Sequence, residues 1–234
     1  MDVTTRLGEN LARVGDRIAA AAHRSGRQRS DVALVAVTKY VDANIVPHLV
    51  AAGCTDLGES RPQELWSKAE SFTDVPIRWH LVGHLQRNKV DRTLPFVSLI
   101  HSVDSLRLAH AIDKSVAGQN RSIPALLEVN ISGDRSKHGF APTEIQPLLP
   151  QLATLDRLEI RGLMCMASPE GDLEAARRQF AALHQLRDHL RAVAPQKVEL
   201  TELSMGMSGD FEIAIEEGAT IVRIGSALFE GIIG

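Results

Sequence analysis

The sequence predicts an α/β fold, a single (β/α)₈ barrel of the TIM type over residues 1–234, and two observations carry that prediction. Short runs rich in Val, Ile and Leu alternate with helical stretches eight times, and several of the runs are continuously apolar. Unbroken apolarity marks strands covered on both faces, as in an all-parallel sheet. No linker rich in Pro, Gly or Ser divides the chain, so eight β-then-α units favour a closed barrel. An open doubly wound sheet is the competing arrangement.

The elements follow in order. Residues 3–26 read as an extra N-terminal helix, because Leu7, Leu11, Val14 and Ile18 recur at steps of four, three and four. The expected strands of the first half are VALVAVTK (32–39), DLGES (56–60), RWHLVG (78–83) and LIHSVD (99–104). The second half supplies PALLEVNI (124–131), LEIRGLMCM (158–166), VELTELSM (198–205) and TIVRIGS (220–226). Between them, 105–118 reads as a helix closed by Gly118. A second helix over 172–193 has Leu173, Ala176, Phe180, Leu183, Leu186 and Leu190 on one stripe.

Composition narrows the function. The net charge is −3 and no segment carries a basic run, so nucleic acid is not an expected partner. No apolar run approaches the ~20 residues that span a bilayer, so no membrane association is expected. Acidic residues near the N-terminus argue against a targeting peptide, which makes the cytoplasm the expected location. Cys54 and Cys165 stand in unrelated contexts, with no metal-type spacing, and read as two buried thiols.

Sites in such barrels form at the C-terminal ends of the strands. The first run closes on Lys39, which shares one strand face with Ala33, Val35 and Val37, while Tyr40 takes the other. An amine entering the top of the barrel is partly desolvated and becomes a nucleophile; a strand-end lysine that simply reaches water is the alternative. The last two runs end in small residues, Gly206, Ser208 and Gly209 in one and Gly225 and Ser226 in the other. Loops after strands seven and eight often bind phosphate, through backbone N–H groups, hydroxyls and helix N-termini. Arg223 shares a face with Gly225, so its guanidinium points inward. It either pairs with a carboxylate such as Glu59 or donates to a ligand, a pyridine ring nitrogen included. His80 and His84 are four apart on a strand, hence roughly 13 Å, too far for a shared zinc ion. No Rossmann, P-loop or GxSxG pattern is present.

Taken in sequence, AVTKY (36–40), LGESRPQE (57–64), WHLVGHLQRNK (79–89) and HSVDS (101–105) resemble the pyridoxal phosphate homeostasis proteins. So do LLEVNIS (126–132), GLMCMA (162–167), LSMGMSGDFEIAIEEGAT (203–220) and VRIGSALFEG (222–231). The resemblance implies a fold-type III barrel, similar to the N-terminal domain of alanine racemase, with pyridoxal 5′-phosphate (PLP) held as a Schiff base on Lys39. It places Arg223 at the pyridine nitrogen and the phosphate near Ser204, Met205, Ser208, Gly225 and Ser226. Ser60, His80 and Met166 complete the expected cofactor contacts. This sequence departs from the family pattern at Ser60, where an asparagine is usual, and at His84.

The resemblance further implies a carrier that stores, buffers or delivers PLP and other B6 vitamers, with PLP-dependent apoenzymes as recipients and a monomer as the expected state. Efficient racemisation is not expected, because it uses a base on each face of the substrate in a site closed to water. The second base of alanine racemase comes from a C-terminal domain, and this sequence ends at Gly234, shortly after the eighth run. Tyr40, the single tyrosine, is expected to point away from Lys39. Two other readings remain. One is a weak amino-acid racemase using Lys39 with water or His80. The other is a Schiff-base aldolase in which Lys39 attacks a sugar phosphate.

Overall fold

The computed structural model describes residues 2–134, 136–168 and 172–232, so Met1 and Gly234, the ends of the expected span, lie outside it. Eight parallel strands close on themselves in sequence order, with the first pairing to the eighth. They are β1 Ala33–Val37, β2 Asp56–Glu59, β3 Arg78–Leu81, β4 Val97–Val103, β5 Ile123–Glu128, β6 Leu158–Met164, β7 Glu202–Ser204 and β8 Ile221–Ile224. The helices are α1 Val3–Arg24, α2 Val46–Ala51, α3 Pro62–Ser71, α4 Val90–Thr93, α5 Leu106–Ser115, α6 Pro142–Leu152, α7 Leu173–Val193 and α8 Phe211–Glu216.

Each expected strand is present, but most are shorter at their C-terminal ends. The first stops at Val37 because Val41 N–H turns back to Thr38 O at 3.1 Å. The seventh begins only at Glu202. Apolar residues at strand ends still pack, but the ladder needs a partner on each side. Lys39 and Tyr40 therefore lie in a turn, where strand parity no longer governs them.

Alternation across the strands builds two cores. Leu57, Leu81, Ile100, Leu127, Leu163, Leu203, Val222 and Ile224 face outward and are buried against the helices, among them Leu65, Leu108, Phe180 and Phe211. Val35, Val82, Leu99, Leu126, Met164 and Ile221 fill the barrel interior. On α7, Ala176, Phe180, Leu183 and Leu190 are buried and Leu186 partly so. Leu173 departs from the expected stripe: as the first residue after the Asp172 cap it is 54% exposed. Helix α1 buries Leu7, Val14 and Ile18 and is pinned near α8 by the Arg17–Glu212 pair. Asn10 Nδ2 donates to Leu228 O at 2.8 Å, tying the helix to the segment after β8. No described helix is long and apolar enough to cross a membrane.

Candidate functional site

The ends of β1, β7 and β8 meet at the barrel mouth. Lys39 is exposed in the turn after β1, with Nζ 4.6 Å from the centre of the Tyr40 ring. The two side chains therefore lie together, contrary to the parity expectation, because the strand ends two residues before Lys39. Tyr40 in turn lines a concavity of about 820 Å³ with Ser208, Gly209, Ser226 and Ala227.

The loops after β7 and β8 form a cradle of donors. Gly206 has φ +91°, and a Cβ there would lie 2.5 Å from Ala214 Cβ, so only glycine makes this turn. Ser208 Oγ accepts from the backbone N–H of Gly225 and of Ala227, both at 3.3 Å, bonds long enough to yield to a stronger acceptor. Among the described residues, the backbone N–H groups of Ser208, Gly209 and Ser226 have no backbone acceptor. A Cβ on Gly225 would press to 3.1 Å against Val37 O, so the glycine lets the two strand ends close up. Hydroxyls and N–H groups without charged acceptors suit an anion such as phosphate.

Below this cradle Arg223 points inward, its guanidinium buried and its pKa lowered by that burial, though still protonated. Its Nη1 donates to Ser204 Oγ at 2.5 Å and its Nη2 to Cys165 O at 2.8 Å. Glu59 is not its partner. Glu59 follows Leu57 on the outer face of β2, whereas Arg223 follows Ile221 on the inner face of β8. Glu59 Oε1 instead accepts from Lys68 Nζ and from Thr38 Oγ1, both at 2.6 Å. Lys68 also donates to Thr38 O and Val41 O, each at 2.8 Å, and so clamps the turn that carries Lys39.

From Arg223 a hydrogen-bonded chain runs down inside the barrel. Ser204 Oγ lies 2.8 Å from His101 Nδ1, His101 Nε2 2.9 Å from His80 Nδ1, and His80 Nε2 3.1 Å from Asp56 Oδ1. The two ends fix every proton, since arginine only donates and an ionised carboxylate only accepts. Ser204 accepts from Arg223, so its own O–H goes to His101 Nδ1. His101 Nε2–H then donates to His80 Nδ1, and His80 Nε2–H to Asp56. His101 is thus neutral, protonated on Nε2. Burial, and after it the neighbouring His80 and Arg223, hold the His101 pKa well below its ordinary value. Burial raises the Asp56 pKa, but hydrogen bonds from His80 and Arg78 outweigh it and keep the carboxyl below its ordinary range.

The sequence-predicted contacts divide accordingly. Ser208 and Ser226 line the concavity with Tyr40, the Gly225 N–H donates to Ser208, Lys39 reaches the Tyr40 ring, and Arg223 is buried. Ser60 follows β2 half-buried, and Met166 lies exposed after β6. Ser204 is buried with its hydroxyl committed to Arg223 and His101, so it positions the guanidinium rather than lining the cradle. Met205 faces the outer core, its N–H taken by Ile221 O. His80 has both ring nitrogens engaged and reaches the mouth only through His101 and Ser204. Sequence reasoning missed His101, which shares the inward parity of Leu99, and Glu128, which follows inward Leu126 and closes the fifth run. Burial, then the nearby Asp104 charge, raises the Glu128 carboxyl pKa. Both thiols are buried, and burial pushes Cys54 up to about 11 and Cys165 up to about 12, which leaves them unreactive.

The sequence matches the family described as alanine racemase, N-terminal domain, over residues 10–231. It is 39% identical over 221 residues to the pyridoxal phosphate homeostasis protein of Aquifex aeolicus, covering 94% of this chain and 96% of that one. The Escherichia coli K12 protein of the same name is 34% identical, covering 95% of each chain. Among solved structures, PipY of Synechococcus elongatus with PLP bound superposes with a TM-score of 0.85 at 37% identity, covering 95% of this chain and 99% of that one. Alanine racemase of Clostridium difficile shares the barrel fold alone, with a TM-score of 0.74 at 15% identity over 96% of this chain and 56% of that one.

Proposed function

Because this chain belongs to the pyridoxal phosphate homeostasis protein family, we propose that it holds PLP as a Schiff base on Lys39 and stores, buffers or delivers the cofactor without efficient turnover. The observation that carries this reading is the meeting, at one barrel mouth, of an exposed amine with a cradle of N–H and hydroxyl donors. When bound, PLP supplies an aldehyde carbon for an amine and an electron-withdrawing ring. Lys39 would take the aldehyde, and Ser208, Gly225 and Ser226 would hold the phosphate. Arg223, fixed by Ser204 and Cys165, would face the ring nitrogen; as a permanent cation it disfavours a further proton there and so weakens the electron sink. That the PipY structure holds PLP supports PLP as the ligand of this barrel.

Engagement of both His80 nitrogens supports the carrier reading over a racemase that would use His80 as its second base. The exposure of Lys39 suits reversible transfer to other B6-binding proteins in the cytoplasm. The test is the visible absorption spectrum of the purified protein with PLP, beside that of Lys39→Ala. A band in the parent that is absent from the variant is expected, together with no steady interconversion of D- and L-alanine. A parent that stays colourless with added PLP overturns the reading, and borohydride trapping of Lys39 with a sugar phosphate would bring the aldolase forward.

A further inference from the structure

Across the mouth from the cradle, the loops after β3, β4 and β5 bring His84, Asp104 and His138 together, each offering a ligand atom within 4.8 Å of the others. We propose that these three residues bind one divalent transition ion of the zinc class. His84 Nδ1 is 2.9 Å from Asp104 Oδ2, and His138 Nδ1 is 3.8 Å from the same oxygen. The two imidazoles stack, ring centres 4.1 Å apart and planes 13° from parallel.

An ordinary ion pair accounts for only part of this. One imidazole at 2.9 Å satisfies the carboxylate oxygen. The second, at 3.8 Å, makes no hydrogen bond and yet aims the same nitrogen at the same oxygen. Were both rings protonated, two cations would lie face to face. A metal ion reconciles the arrangement, because it uses the lone pairs of neutral imidazoles and neutralises the carboxylate. Two nitrogens and one carboxylate oxygen suit Zn²⁺ and its first-row neighbours, whereas Mg²⁺ and Ca²⁺ favour oxygen ligands throughout.

The surroundings complete the site. Asp104 is largely buried, and its other oxygen, Oδ1, accepts from Ser105 Oγ at 3.0 Å, which holds the carboxylate in place. His84 and Asp104 line a concavity of about 450 Å³, with room for water at a fourth coordination position. Ligand atoms around a tetrahedral zinc ion stand about 3.4 Å apart. Rotation of the two exposed imidazoles covers the difference from 4.8 Å. No sequence pattern marks this site, because His84 pairs not with His80, four residues earlier, but with a histidine 54 positions later.

Equilibrium dialysis of the full-length protein against Zn²⁺, with bound metal counted by atomic absorption, tests the proposal independently of the PLP reading. One ion per chain is expected, not displaced by excess Mg²⁺. Loss of a ligand in His84→Ala, His138→Ala or Asp104→Asn should weaken binding on the order of 100-fold. His189→Ala, a histidine on α7, should bind as the parent does, and far-UV circular dichroism checks that each variant folds. Lys39→Ala should also retain the ion. Its loss there would assign the metal to bound PLP and overturn the site, as would absent binding or binding indifferent to His138→Ala.

Discussion

Two buried polar assemblies support the same mouth by opposite electrostatic means. Outside the barrel, Lys68 and Glu59 meet as charge on charge, and Lys68 adds two backbone carbonyls of the Lys39 turn. Inside it, Arg223 and Asp56 carry charges at opposite ends, and Ser204, His101 and His80 join them. A direct ion pair works only while both partners are present, since a lone buried charge is costly. A relay through a neutral imidazole fails when that imidazole gains a proton, because the donor that faced the newly protonated nitrogen must turn away. The outer assembly is therefore vulnerable to mutation and the inner one to acid.

Breaking the outer pair should give the largest effect. Lys68→Met leaves Glu59 buried with no cation and should cost about 3–5 kcal/mol in urea unfolding. Adding Glu59→Leu should restore most of that loss, because removing both charges removes the penalty; a double variant as unstable as the single one would contradict the account.

The inner chain predicts a dependence on pH. In the unfolded chain His101 takes a proton near its ordinary value of 6.5, whereas in the fold it does so only well below that. Between the two values the unfolded state binds more protons. The contribution of His101 is thus full above about pH 6.5 and declines as pH falls, by up to about 1.4 kcal/mol per unit. Replacement by phenylalanine should cost about 1–3 kcal/mol at neutral pH, by stranding Ser204 and His80. It should also flatten the acid limb of a stability–pH curve. A variant with the parent's slope would show that the buried imidazole is not the sensor.

The smallest effect should come where the inner chain meets solvent. Arg78 pairs with Asp56 but is largely exposed, so Arg78→Ala should cost less than about 1 kcal/mol in urea unfolding. A larger loss would mean that this cation, rather than His80, keeps Asp56 ionised.

The comparison also separates what could be read in advance. All eight strands and the leading helix followed from the apolar runs, and Ser208 and Ser226, small residues after the seventh and eighth runs, line one concavity. Parity within one strand correctly put Arg223 inward and Val222 and Ile224 outward. It misjudged Tyr40, because a turn had already replaced the strand. His101 and Glu128 obeyed the same inward parity, but each sat within an apolar run and drew no notice.

The sequence by itself determined the barrel and the side of each strand that faces the axis, because hydrophobic period and chain order are local properties that burial enforces. Partnership was decided only by the closed structure. That Glu59 meets Lys68 and not Arg223, that Ser204 serves Arg223 through its hydroxyl, and that His84 meets His138 across the end of β4 all depend on register and curvature. Hydrogen bonds and metal ligands act over about 3 Å. A pattern along the chain fixes which way a side chain points, and only closure of the barrel brings its partner within that distance.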